Sequence, residues 1–159
     1  MNRVDEHRLL AALDRQAIRE LQAAYGDAVT RQAWDELVPM FRADCPVTLD
    51  LRNGKTIEHV GPQAIGAFIA QSIERFEFFE FALLNAVVDV VDGTTATGRL
   101  YIWELRQQDG RWTNAYGLYR DRYERVDDER WVFAERRYAS LARSAPEGAG
   151  MDVFSVPTD

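Results

Sequence analysis

Three short turn signals divide the last two-thirds of this 159-residue chain into four alternating runs. Asp92-Gly93 joins LLNAVVDVV to TTATGRLYIWEL. Asp109-Gly110 joins that run to RWTNAYGLYRDRYER, and Asp128-Glu129 leads into RWVFAERRYASL. Asp-Gly between alternating runs marks a hairpin, because a two-residue type I′ turn needs positive φ at both central residues. Hairpins fix register, and register decides which side chains share a face. Counting out from Asp109-Gly110 sets Glu104 opposite Ala115, Ile102 opposite Gly117 and Leu100 opposite Tyr119. Counting from Asp128-Glu129 sets Asp121 opposite Arg136 and Arg122 opposite Glu135, two complementary charge pairs that support that turn.

Zipped this way, one face gathers Asn85, Glu104, Gly117, Tyr119, Asp121, Arg136 and Tyr138, with apolar Leu100 and Ile102 among them. A face mixing acid, phenol, amide and guanidinium with apolar residues predicts the lining of a pocket. The opposite face collects Tyr101, Trp103, Tyr116, Leu118, Trp131 and Phe133. That is too much contiguous apolar surface for an exposed face, and a self-complementary patch predicts a homodimer through the outer sheet face. The alternative is that the C-terminal tail covers the patch through Met151, Val153 and Phe154.

Ahead of the hairpins the period changes. Leu10, Leu13, Ala17, Leu21, Ala24, Tyr25 and Ala28 recur at three- and four-residue steps and predict one apolar helix face. AWDELVPMF predicts a short second helix with Trp34, Leu37 and Phe41 inward, bent or ended at Pro39. CPVTLDLRNGKTIEHV reads as a hairpin turning at Asn53-Gly54. Gly61-Pro62 opens a third helix whose buried stripe is Ile65, Phe68, Ile69 and Ile73. Helices first and antiparallel strands afterwards define an α+β domain over residues 1–142, followed by an irregular tail, 143–159.

Composition narrows the partners. Apolar content of 47% and charged content of 28% read as one globular domain. A formal net charge of -7 argues against a nucleic-acid partner. No apolar run approaches the roughly 18 residues needed to span a bilayer. The charged N-terminal segment lacks the apolar core of a secretory signal. Cys45 is the sole cysteine, which points to a reducing cytoplasm. His7 and His59 lie far apart, so no zinc spacing exists and no metal or other cofactor is expected.

The order of elements resembles the SnoaL-like group of the nuclear-transport-factor-2-like (NTF2-like) superfamily over about residues 8–141. The resemblance is carried by Ala24-Tyr25, Gln32-Ala33-Trp34-Asp35-Glu36-Leu37, Phe41 and Asp44. It continues through Gly61-Pro62-Gln63-Ala64-Ile65, Asn85, Ala96-Thr97-Gly98, Gly117-Leu118-Tyr119-Arg120-Asp121 and the strand from Trp131 to Arg136. It implies a cone-shaped α+β barrel, a curved antiparallel sheet covered by N-terminal helices around a cavity. Members of that group include dehydratases, isomerases, cyclases, epoxide hydrolases and proteins that only bind, so the resemblance implies fold more strongly than function. In relatives similar to bacterial dehydratases, a Tyr is followed five residues later by an Asp, and a His stands four residues before the Asn85 position. Here those positions hold Thr30 and Phe81, so the Asp–His acid–base pair is missing. Tyr25 matches the Tyr, and Glu104 matches a position that is acidic in some dehydratases.

Each candidate carries a structural reading beside its functional one. Tyr25, Tyr119 and Tyr138 serve equally as core or as cavity wall. Glu104 is a general acid or base if it lines the cavity, and a strand-end charge otherwise. Asp121–Arg136 is a strand-orienting ion pair, or a device to hold a substrate oxygen. Asn85 bonds backbone or ligand. Cys45 is a passive small residue, Asp27 is solvated, and His59 belongs to a surface loop. The aromatic run Phe76, Phe78, Phe79, Phe81 favours an apolar or polycyclic aromatic ligand. Two functions emerge: a cofactor-free lyase or isomerase using Glu104, Tyr25, Tyr119 and Arg136, or a non-catalytic small-molecule-binding or scaffold module. Asp121 and Arg136 positioning a water for epoxide hydrolysis is a third.

Overall fold

The computed structural model describes residues 3–127, 129–146 and 150–158. Helix α1 is Arg3–Arg31, and a 3-10 helix follows at Trp34–Met40 with Pro39 inside it and Leu37 buried. Strands β1 (Pro46–Asp50) and β2 (Thr56–Val60) form the first hairpin. Helix α2 is Pro62–Ile73, its proline in the first turn behind Gly61 at φ 83°. Four long strands complete the sheet: β3 Phe78–Val90, β4 Thr95–Gln108, β5 Arg111–Val126 and β6 Arg130–Ser144. Short β7, Met151–Val153, pairs with the end of β6.

Six of the seven strands run in the order β2-β1-β6-β5-β4-β3, with β7 paired to β6 off that path, and the sheet is curved and not closed into a barrel. The sheet is mixed and not wholly antiparallel: β1 lies parallel to β6, with Val47 opposite Arg136 and Asp50 opposite Ala139. That pairing joins segments nearly ninety residues apart, and no turn signal encodes it. Nor is the tail irregular from residue 143. β6 continues to Ser144, the Phe154 amide donates to the Leu141 carbonyl (2.8 Å), and Val153 is left 76% exposed along the sheet edge.

Asp109-Gly110 is the type I′ turn expected, with φ of 51° and 74°, and every pair counted from it is present. The other two connections are one residue longer than the sequence count assumed. At Asp92 the carboxylate accepts from the amides of Thr94 and Thr95 (2.8 Å each), which draws a wider loop together and holds its pKa near 2. Val90 therefore pairs with Ala96, and Asn85 falls opposite Tyr101, exposed on the outer face. A bulge between Leu83 and Asn85 then restores the expected parity, so Phe81 meets Glu104. Asp128, half of the third turn signal, lies outside the described residues. Around it Val126 pairs with Arg130, so Trp131 and Phe133 point inward, against the outer-face assignment. A bulge between Arg122 and Tyr123 then brings Asp121 opposite Arg136 as counted.

The face that α1 buries also differs from the periodic stripe. Leu10 and Leu13 are 53% and 55% exposed, while Asp14, Ile18, Gln22, Tyr25, Ala28 and Val29 are buried. Asp14 accepts from Arg125 and from the Trp131 indole (3.2 Å), and the Gln22 amide donates to the Tyr123 hydroxyl (2.7 Å). Two polar residues with partners on the sheet thus rotate the helix away from its more apolar face. Gly26 permits the close approach: a Cβ there would meet Leu83 at 2.5 Å. Among the described residues no helix is long and apolar enough to cross a membrane.

Candidate active site

The concave side of the sheet, the end of α1, α2 and the β1–β2 hairpin enclose a cavity of about 510 Å³. Its wall is apolar along Ile65, Phe68, Ile69 and Ile73 of α2, the stripe the sequence assigns as buried. Leu49, Leu51 and Ile57 of the hairpin continue it. Tyr25, Phe81, Glu104, Tyr119 and Tyr138 also line it. Leu100 and Ile102 do not; both are fully buried in the core. Asp121 and Arg136 are likewise absent from the wall and sealed below it, and Asn85 is on the far side of the sheet.

Below the wall lies a buried polar network. Arg136 donates through Nε and Nη2 to the two Asp121 oxygens at 2.9 and 3.2 Å, with side chains 1% and 0% exposed. Burial lifts the Asp121 carboxyl, and Arg136 and the Tyr123 hydroxyl (3.0 Å) pull it back. Burial opposes charge on Arg136 too, yet the Asp121 carboxylate holds the guanidinium above its ordinary range. The guanidinium carbon lies 3.9 Å from the Tyr119 ring centroid, 4.3 Å from Tyr25 and 4.1 Å from Phe133. This cation fixes the floor of the site from beneath and places a positive field under two phenols.

The Tyr25 and Tyr119 rings meet edge-on, their centroids 6.4 Å apart. Burial raises both pKa values, against the pull of Arg136, and lifts Tyr138 to about 12. All three phenols are therefore protonated near neutral pH and able to donate. Glu104 faces them with its side chain 17% exposed and accepts from Arg106 Nε at 3.0 Å. Arg106, Arg143 and Ser140 are wall residues that the sequence reading missed. Arg106 could have been found, since it stands two positions after Glu104 on a regular strand. Arg143 could not, because a second β6 bulge intervenes at Tyr116/Gly117.

The positions of the missing dyad are in direct contact. Thr30 Oγ1 accepts from the Phe81 amide (3.0 Å) and donates to the Phe81 carbonyl (3.4 Å). The Phe81 ring stands edge-on to Tyr25 at 5.6 Å. The proton-transfer corner of the resembled dehydratases is thus filled by a backbone clamp and a phenyl ring. His59 is not on a surface loop: it belongs to β2, half-buried against Phe68 at 4.7 Å. Asp27 is exposed and paired with Arg31, as a solvated residue should be. Among the described residues no three His, Cys, Asp or Glu side chains gather as a metal site.

Gly117 shapes the cavity. The Tyr138 ring lies across it, and a Cβ at Gly117 would sit 2.0 Å from that ring. Gly117→Ala is expected to drive Tyr138 into the cavity and to cost about 1–3 kcal/mol. Adding Tyr138→Leu should recover most of that loss in urea denaturation. A Gly117→Ala protein as stable as wild type would contradict the packing described.

Cys45 is fully buried, and burial pushes its thiol from 9.0 up to about 12. The native protein should resist aromatic disulfide reagents, which react by thiolate attack on their disulfide. The unfolded thiol loses its proton near pH 9 while the folded one keeps it, so the folded state binds more protons in that window. Stability should therefore fall as pH rises from about 9 to 12, and less so in Cys45→Ala; chemical denaturation across that range reads both.

The sequence matches the SnoaL-like domain family over residues 11–137. With that match and this fold, the chain belongs to the SnoaL-like domain family, within the NTF2-like superfamily. A candidate scytalone dehydratase from Novosphingobium aromaticivorans is 19% identical, covering 93% of this chain and 92% of its own, with a TM-score of 0.71. The LinA-type3 hexachlorocyclohexane dehydrochlorinase of Novosphingobium barchaimii is 17% identical over 95% of this chain and 99% of its own, TM-score 0.71. An NTF2-like protein with a cystatin-like fold from Novosphingobium aromaticivorans is 26% identical over 84% and 86%, TM-score 0.72. No curated protein gives a significant sequence match.

Proposed function

We propose that the chain is a cofactor-free lyase or isomerase acting on a small, mostly apolar molecule with a carbonyl or hydroxyl group. The observation that carries this reading is the sharing of one apolar cavity by the Glu104 carboxylate and the three protonated phenols. Glu104 takes a proton from the carbon next to the carbonyl. The C–H electron pair becomes the C=C bond of an enolate as the carbonyl π pair moves onto oxygen, or it expels a leaving group one carbon further on. Tyr25, Tyr119 and Tyr138 donate hydrogen bonds to the oxygen that gains charge. Arg136 acts through the two phenols stacked on it. Two structural neighbours are named as a dehydrochlorinase and a candidate dehydratase, which are eliminations of this general kind.

A binding module is the second reading, favoured by the Thr30–Phe81 clamp and by Arg106 already engaging Glu104. The epoxide-hydrolase reading loses its support, because Asp121 and Arg136 do not reach the cavity wall. Deuterium uptake at the enolisable carbon of 1-tetralone in heavy water separates the first two. The enzyme reading expects uptake faster than with heat-denatured protein, and slowed in Tyr119→Phe. Tetralone that binds without accelerated uptake would leave the binding module.

Placement in the cytoplasm, consistent with a lone buried thiol, is part of the same proposal. So is a homodimer through the outer sheet face. With Trp131 and Phe133 turned inward, its patch reduces to Tyr101, Trp103 and Tyr116, the last two stacked at 6.3 Å. Leu118 is already buried within the chain. Sedimentation of wild type and Trp103→Arg should show a dimer and a monomer; a monomer in both ends the idea.

A further inference from the structure

The cavity has a charge of its own, opposite to that of the chain. In a protein of formal net charge -7, three guanidiniums, Arg75, Arg106 and Arg143, line it among the described residues against the single carboxylate of Glu104. The three differ in what they hold. Arg106 is tied to Glu104. Arg143 donates to the Leu51 carbonyl at 2.6 Å and stands 4.0 Å from Asp152. Arg75 makes no hydrogen bond or ion pair among the described residues; its guanidinium carbon rests over the Phe76 ring at 4.9 Å. Arg106 packs over that same ring at 5.4 Å, so one phenyl group keeps both cations at one end of the cavity. Phe76 is in turn nearly parallel to Phe79, 6.3 Å away at 13°.

We infer that the ligand of this cavity is an aromatic or alicyclic acid, whose carboxylate is held at the mouth by Arg75, with Arg106 beside it. The inference rests on the proposed use of the same cavity and names its substrate class. A planar fork supplies two parallel N–H donors to a carboxylate, the geometry Arg provides and Lys does not. The Phe76 and Phe79 rings offer a flat wall for the ring system behind that carboxylate. The acidic group lies at the mouth, where Arg75 remains solvated and little desolvation is asked of the ion pair. The phenols and Glu104 are then left for the other end of the molecule. A neutral molecule of the same shape leaves Arg75 without its partner, so the cavity discriminates by charge and not by size.

Calorimetric binding of 2-naphthoate and of 2-acetonaphthone, its neutral analogue of similar shape, tests this. Wild type should prefer the carboxylate by about tenfold. The preference should shrink in high salt and disappear in Arg75→Gln, while affinity for the neutral ketone stays unchanged. Equal or weaker binding of naphthoate, or a preference that survives in Arg75→Gln, overturns the inference. The tetralone assay reads the other question separately. Accelerated exchange without naphthoate preference leaves an enzyme and rejects the acid; preference without exchange leaves an acid-binding module and sustains the inference.

Discussion

Asp121→Ala should lose about 3–5 kcal/mol of folding free energy in urea denaturation, because it strands a fully buried guanidinium. Among the described residues Arg136 has no reserve of partners: its Nη1 already lacks a hydrogen-bond partner, and the three surrounding rings cannot neutralise a full charge. The Tyr123 hydroxyl would lose its acceptor as well, and the Gln22 bond behind it would loosen. Set against a typical total of about 5–15 kcal/mol, such a loss leaves a marginal protein or an unfolded one. Replacing both partners, Asp121→Leu with Arg136→Met, should recover most of the stability, since an apolar pair of similar volume asks for no compensation. An Asp121→Ala protein with an unchanged denaturation midpoint would show that the pair contributes nothing.

Glu104→Gln should slow the exchange of 1-tetralone by about 100-fold or more while leaving the circular dichroism spectrum and denaturation midpoint close to wild type. The substitution conserves volume, and the amide oxygen can still accept from Arg106, so the strand end keeps its contact. What disappears is the carboxylate's capacity to take a proton. Tyr119→Phe should have the smaller effect, because Tyr25 and Tyr138 remain as donors. Turnover unaffected by Glu104→Gln would remove this residue from the mechanism, even if binding persisted.

The helices, the hairpins and the acid-and-phenol composition of the pocket were legible because each is written within a few residues of chain. Asp109-Gly110 alone set the cross-strand pairings of Glu104, Ile102, Leu100 and Tyr119. Bulges were not legible. In the two outer hairpins a connection one residue longer than assumed is cancelled by one bulge. Only the residues between connection and bulge are misassigned: Asn85 on one side, Trp131 and Phe133 on the other. Beyond the bulge the count is right again, which is why Asp121–Arg136 survived an error in the turn beside it. The α1 face was misread because its inward positions include Asp14 and Gln22, whose partners lie more than a hundred residues away. The parallel β1–β6 contact, and with it the hairpin side of the cavity, also depends on distant segments.

The Thr30–Phe81 clamp has a consequence for how such a cavity could change its chemistry over generations. The two hydrogen bonds join one residue's side chain to the other's backbone, so the positions are not independent. A carboxylate introduced at residue 30 alone would still accept from the Phe81 amide, but it would face the Phe81 carbonyl, oxygen against oxygen. It would also have no imidazole to orient. A histidine introduced at residue 81 alone would replace a ring packed edge-on to Tyr25 and find no carboxylate to orient it. Each step is worse than either end state, a valley between two workable pockets. A lineage that settles on one side of such a valley tends to stay there, and any catalysis it performs must be assembled from what the rest of the wall provides.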